Sequence, residues 1–425
     1  RPPLPRPRQR HSPCPQPPLT RLAPMYPNPH NSDLKKQEDS MKWNQSLSLV
    51  ALGLFALATP AWAQKEQWLE YHTDREGKGY RYLDLTTNPP PNVALPKLAA
   101  QPYFARWTSP LDASGGRWIC FDRTRKAGPH DRLYIDTNGN GRLDDDAPVS
   151  TFRTDQYTAY FEPAKVTFKG EDGPITYHLA LRFMKYEGSD VRVLASSAGY
   201  YAGQVDLGGK KQHLELIDGN VNGTFNDRST NSGDCDRVSV EKDSTSERYL
   251  GKLLEANGQF FQIEVARDGA FVKLQKADVT LGQARVPETI SEFVAFGENG
   301  HFVRKPAKGE FTLPAGKYHI LQWTINRKDN KGAKWELMGY NLPEKASFEV
   351  AAAKLAAIQV GEPVRADLRA EPTKTKGQLT FNLNFRGRFD ESIQILKDSQ
   401  RPPGPKLSFA SADGSYRATN TFEFG

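Results

Sequence analysis

Three cysteines in 425 residues are too few for a fold held by disulfides. No stretch beyond the N-terminal sixty or so residues approaches 18 consecutive apolar positions, so none there reads as a bilayer-spanning helix. Helical periodicity is nearly absent, with residues 351–357 the single short candidate. The legible catalytic signatures are missing too: no GxSxG elbow, no HExxH, no Cys/His cluster at zinc spacing, no GxGxxG after a strand and no GxxxxGK[ST]. Histidines 72, 130, 178, 213, 301 and 319 are scattered among strand-like segments, and each reads as a surface or satisfied polar residue. Paired carboxylates for glycoside cleavage have no fixed spacing, so this inventory leaves them open.

What is present is enough to fold. The chain is 37% hydrophobic and holds 22 Phe, 16 Tyr and 7 Trp, a globular composition with room for two or three domains. The formal charge of +7 looks like a nucleic-acid signal until its position is considered. Residues 1–63 hold eight Lys and Arg against three Asp and Glu, which leaves the other 362 residues only +2. A basic footprint on a folded face is therefore not expected, nor is a nucleic-acid partner.

Residues 1–40 carry 11 of the 31 prolines and no hydrophobic periodicity, and read as a disordered or non-native leader. From Met41 the pattern changes. Lys42 gives a short basic start, residues 47–58 form an apolar run and Ala61-Trp62-Ala63 has the small-x-small cleavage form. Residues 41–63 are thus read as a secretory signal peptide, which implies a secreted or periplasmic protein with no membrane anchor after cleavage. Cys120 and Cys235 would then share an oxidising compartment, where a bridge is allowed but not decided by spacing.

Strand signals dominate the rest. Val166–Lys169 and Ile175–Phe183 flank a Gly-Glu-Asp-Gly-Pro turn, Gly208-Gly209 separates residues 204–207 from 213–217, and Asn257-Gly258 separates 252–256 from 260–265. The fold class expected is mainly β: an antiparallel β-rich domain over 64–281 with calcium-type loops, followed by one or two β-sandwich domains. The first sandwich is placed at 282–362, and 363–425 is either a second β module or its continuation. Phe311 to Ile325, containing Leu-Pro-Ala-Gly-Lys-Tyr318, reads as strand, tight turn, strand. It resembles the hairpins of immunoglobulin-like and prealbumin-like sandwiches that serve as accessory modules in bacterial secreted proteins.

Two segments carry metal chemistry. Asp136, Asn138 and Asn140 precede Gly141, and Asp218, Asn220 and Asn222 precede Gly223, in one register. Calcium takes six to eight oxygens from a backbone that curls round it; Asx at alternate positions supplies oxygens from one side and glycine permits the turn. Both loops resemble those of EF-hand and dockerin proteins. Carried over, the resemblance implies Asp136, Asn138, Asn140, the Arg142 carbonyl and Asp144, with Asp146 closing the shell, in the first loop. In the second it implies Asp218, Asn220, Asn222, the Thr224 carbonyl and Asn226, with Asp227 closing it. The twelfth position departs from the pattern, being Ala147 and Ser229, and strands rather than helices lead in. Low ligand charge implies affinity of about 10⁻⁴ to 10⁻³ M. The first loop, with Asp144, Asp145 and Asp146 clustered, is expected to depend more on the ion. Asp236 to Val240 echoes the lead-in Asp131 to Ile135, which suggests a decayed third loop over Glu241, Asp243 and Glu247.

The function expected is a non-enzymatic, extracytoplasmic calcium-binding β-protein with structural metal loops, its sandwich modules presenting a surface to carbohydrate or to another extracytoplasmic protein. The alternative is a secreted hydrolase acting on polysaccharide, with structural calcium. A cleft holding two carboxylates about 5 to 9.5 Å apart would favour the enzyme.

Overall fold

The computed structural model describes residues 65–423 apart from residues 100, 126–128, 172, 187–189, 241–246, 374 and 376–377. The leader, the signal-peptide segment and the Glu241 and Asp243 of the suggested third loop lie outside the described residues. The described chain is mainly β, with nearly every strand pair antiparallel and no α-helix among the described residues. Among the described residues no helix is long and apolar enough to cross a membrane.

A thirteen-stranded sheet is built round three long strands, Glu70–Leu83, Gly173–Lys185 and Val191–Asp206. Their length follows from sustained alternation: Tyr177, Leu179, Leu181 and Phe183 are buried, while Thr176, His178 and Arg182 between them are half-buried. The expected hairpins form. Ala164–Gly170 pairs with Gly173–Lys185, Val191–Asp206 with Lys211–Ile217, and Leu253–Ala256 with Gln259–Val265. The last turn carries Asn257 at φ 52° and Gly258 at φ 70°, the left-handed pair that a two-residue hairpin requires. Trp107, Phe121, Phe161, Phe168, Tyr177 and Phe183 centre the first core.

A second core begins at Ala284, so the two cores divide between Val272 and Ala284. Here an eight-stranded sheet, with Gly316–Lys328 at its middle, packs against a three-stranded sheet of Glu310–Pro314, Leu281–Arg285 and Ala356–Ala357. Phe293 and Phe311 meet across the layers at 5.2 Å. The arrangement is sandwich-like. Ser392–Lys397 pairs with Lys334–Tyr340, so residues beyond 363 continue this sheet, whereas Lys406–Ala410 and Arg417–Thr421 form a separate hairpin.

Two local expectations are corrected, and the cysteine question left open by the sequence is answered. The Leu-Pro-Ala-Gly-Lys-Tyr segment is a corner between sheets rather than a hairpin. Glu310–Pro314 pairs with Leu281–Arg285, and Gly316–Lys328 pairs with Ile290–Gly297 and Lys334–Tyr340. The Ala315 amide donates to Thr280 O at 2.8 Å and its carbonyl accepts from Asn299 Nδ2 at 2.9 Å, so its backbone is spent on neighbours rather than on a turn. The helical candidate at 351–357 is a tight turn, Lys354 N to Ala351 O at 3.4 Å, leading into the short strand Ala356–Ala357. Five alanines do not make a helix where Ala284 offers a strand to pair with. Finally, Cys120 and Cys235 are both buried and free.

Candidate metal-binding loops

Each loop begins where a strand ends. Arg132–Ile135 delivers Asp136, and Lys211–Ile217 delivers Asp218. Both carboxylates turn back on the backbone that follows. Asp136 Oδ1 accepts from the N–H groups of Gly139 (2.7 Å) and Asn140 (3.1 Å), and Oδ2 from Gly141 (2.9 Å). Asp218 Oδ1 accepts from Asn222 at 3.2 Å and Oδ2 from Gly223 at 2.7 Å. Gly141 at φ 77° and Gly223 at φ 94° take the left-handed turn that brings those amides round, which other residues adopt only with strain.

The first loop is open and internally balanced. Asn138 Oδ1 accepts from Asn140 N–H at 3.0 Å and Asn140 Oδ1 from Arg142 N–H at 2.8 Å, both exposed Asx turns. Asp144 pairs with the Arg142 guanidinium at 2.8 Å, Asp145 accepts from Asn140 Nδ2 at 2.7 Å, and Asp146 accepts from the Thr137 hydroxyl. Beneath the loop lies the buried Arg117, ion-paired with Asp112 and 3.6 Å from Asp136 Oδ1. Burial pushes the Asp136 carboxyl above the usual range, and the Gly141 hydrogen bond and Arg117 pull against it. The apolar eighth position, Leu143, is fully buried, and its N–H donates to Ala94 O at 2.8 Å.

The second loop is closed and unbalanced. Asp218 is 0% exposed and also accepts from Tyr177 OH at 2.8 Å. Asp227 Oδ2 accepts from Asn220 Nδ2 (3.3 Å), Asn222 Nδ2 (2.8 Å) and Thr224 Oγ1 (2.6 Å). Asn226, by contrast, is exposed at the rim. A further carboxylate completes the group. Asp236 accepts from Gly219 N–H at 3.1 Å and from Asp227 N–H at 2.7 Å, and is itself 1% exposed. Burial pushes the Asp218 carboxyl up to about 7, and burial together with the Asp218 charge pushes Asp236 well above the carboxylate range. Among the described residues no ion pair joins Asp218, Asp227 or Asp236 to a Lys or Arg. Asn220 Oδ1 is buried without a hydrogen-bond donor among the described residues.

Asp236 was not among the residues the sequence marked as ligands, and Tyr177 and Arg117 were not marked either. The pairing of Ile217 with Arg237 sets Asp236 beside Asp218, 18 residues distant in sequence. The echo with Asp131 is one of sequence alone, since Asp131 caps Thr124 at 2.8 Å while Asp236 serves the second loop. Both loops border the same group of side chains. The Trp107 indole donates to Val221 O at 2.7 Å, Trp107 packs on Phe168 at 5.9 Å, and Arg117 lies 5.0 Å over that ring.

Chemically, the second loop offers hard oxygens and excess negative charge in a buried setting, the donor set of a hard divalent cation. Among the described residues no three His, Cys, Asp or Glu side chains are arranged to hold a metal by themselves, so Asn and carbonyl oxygens would have to take part. A hollow of about 300 Å³ beside Trp118 and Tyr82 is lined by one carboxylate, Asp84. Comparison of the chain with protein-family models, curated proteins and solved structures finds no match.

Proposed function

We propose that this is an extracytoplasmic, non-enzymatic calcium-binding β-protein whose Asx-rich loops act as structural clips and whose sandwich presents a surface for binding or adhesion. The observation that carries this reading is the second loop: an unpartnered, buried Asn220 Oδ1 in one loop with three carboxylates that have no basic partner among the described residues. A buried acceptor without a donor costs about 1–3 kcal/mol, and a bound cation would satisfy it while offsetting the burial that raises Asp218 and the burial and Asp218 charge that raise Asp236. Asp218, Asn220, Asn222, Asp227 and Asp236, with the Thr224 carbonyl, would hold the ion. Asp136, Asn138, Asn140, the Arg142 carbonyl, Asp144 and Asp146 form a weaker counterpart, because Arg117 and Arg142 already supply positive charge there.

The immunoglobulin-like or prealbumin-like character of the sandwich is supported by Tyr318, whose hydroxyl donates to Pro314 O at 2.7 Å, four residues upstream. A tyrosine bonded back across a corner in this way is a feature of such sandwiches. Isothermal titration of chelator-treated protein with calcium tests the metal reading. Heat saturating in the range of about 10⁻⁴ to 10⁻³ M is expected, and no heat up to several millimolar would return both loops to ordinary polar turns.

A further inference from the structure

The outer face of the sheet formed by Tyr103–Trp107, Arg117–Asp122 and Arg132–Ile135 lies apart from the loop carboxylates, although Leu143 of the first loop packs on it. Trp118, Cys120 and Asp122 share that face with their cross-strand partners Arg106, Phe104 and Arg132. Val93, Leu95 and Leu98 pack over its middle, and a hollow lies at either end. One, of about 420 Å³, is bounded by Lys97 on the strap and Arg123, Thr124 and Arg125 opposite, with Arg132 beside them.

The acids beside this hollow are already engaged, and Asp84 lines the other one. Asp122 pairs with Arg132 and accepts from Ala99 N–H at 3.0 Å, while Asp131 accepts from Thr124 N–H at 2.8 Å and Oγ1 at 2.6 Å. Among the described residues Arg123 donates to His130 Nε2 at 3.3 Å, a ring whose proton affinity burial lowers, and has no carboxylate partner. Among the described residues neither Lys97 nor Arg125 has a carboxylate partner. Three cations thus converge on one hollow with no anion of their own, and an oxyanion placed among them relieves their mutual repulsion. The second hollow lies about 13 Å away, four residues along the middle strand. It presents Tyr82 and Trp118, with the Arg106 guanidinium 5.9 Å from the Trp118 ring centre. Cations on opposite walls and flat rings further along one face suit a chain of charged sugars better than a single small ion.

We propose that this face binds an acidic polysaccharide, with carboxylate or sulfate groups received by Lys97, Arg123 and Arg125 and sugar rings lying toward Trp118 and Tyr82. The proposal does not rest on the calcium reading, since Lys97, Arg123, Arg125, Trp118 and Tyr82 all lie outside both loops. It is tested by titrating the full chain, in chelator and at low ionic strength, with an oligogalacturonate, a neutral dextran oligomer, sodium sulfate and an oligothymidylate of matched charge. The expected result is binding of the oligogalacturonate that weakens with salt, with little or none for the other three. Lys97→Gln combined with Arg125→Gln, both exposed, should weaken it about tenfold, while Lys276→Gln with Lys345→Gln, the same charge change elsewhere on the surface, should leave it intact. Absence of oligogalacturonate binding, equal loss in both double variants, equal affinity for the oligothymidylate, or binding of sulfate alone would each overturn the proposal.

Discussion

Asp227 accepts three hydrogen bonds on one oxygen, from Asn220, Asn222 and Thr224, and an amide oxygen could accept the same three. Asp227→Asn therefore separates charge from hydrogen bonding. In chelator its stability should stay within about 0.5 kcal/mol of the parent, while most of the calcium-dependent rise in melting temperature disappears; an undiminished rise would remove Asp227 from the metal site. Asp218→Ala is harsher. It orphans the half-buried amide of Asn222, the buried amide of Gly223 and the Tyr177 hydroxyl, and should cost about 2–4 kcal/mol in urea unfolding even without calcium. Asp136→Ala should cost less, because the amides of Gly139 and Asn140 are near water. The sequence ordered the loops by dependence on the ion instead, with the first ahead because Asp144, Asp145 and Asp146 looked unbalanced. The linear chain does not show that Arg142 pairs with Asp144, or that Arg117 sits beneath the loop.

Among the elements, the hairpins were legible because their instructions are local. Asn257-Gly258 and Gly208-Gly209 supply backbone conformations that few other residues adopt, and the flanking alternation chooses the buried face. The Pro314-Ala315 corner was misread because strand, proline, glycine, strand looks the same locally whether the strands pair or part. A buried contact in this domain offers a test of how its elements are tied together. Glu391, 0% exposed, accepts from the Trp323 indole at 2.9 Å and from Phe389 N–H at 2.8 Å, tying the bend at 387–391 to the long strand Gly316–Lys328. Glu391→Ala leaves two donors unpaired and should destabilise by about 2–4 kcal/mol in denaturant unfolding. A loss below 0.5 kcal/mol would mean that water replaces the carboxylate there.

For the whole molecule, the buried acids make stability depend on pH and calcium together. The folded-state affinities of Asp218 and Asp236 for protons are raised, so the folded chain holds protons that the unfolded chain has released. The destabilisation is absent below about pH 4, where both states are protonated, and grows as pH rises toward the Asp218 value of about 7. In chelator, this pair should make the protein melt lower at pH 8 than at pH 5.5. Calcium should narrow that gap, since an ion bound only by the folded form at tenfold its Kd adds about 1.4 kcal/mol per site, a few degrees in melting temperature. Melts at both pH values with and without calcium provide the check; a gap that calcium leaves unchanged would separate the acid cluster from any metal.

Composition, alternation and turn residues by themselves determined the class of this protein, mainly antiparallel β, and two Asx-glycine loops that end strands. Those features depend on interactions over a few residues, which a linear pattern records. The tertiary structure decided which carboxylates meet. Asp236 joins Asp218 through the pairing of Ile217 with Arg237, Arg117 comes under Asp136 through the pairing of Ile119 with Ile135, and burial separates a strained acid cluster from a balanced surface loop. Charge interactions depend on distance and burial in space, and neither is written in the spacing of residues along the chain.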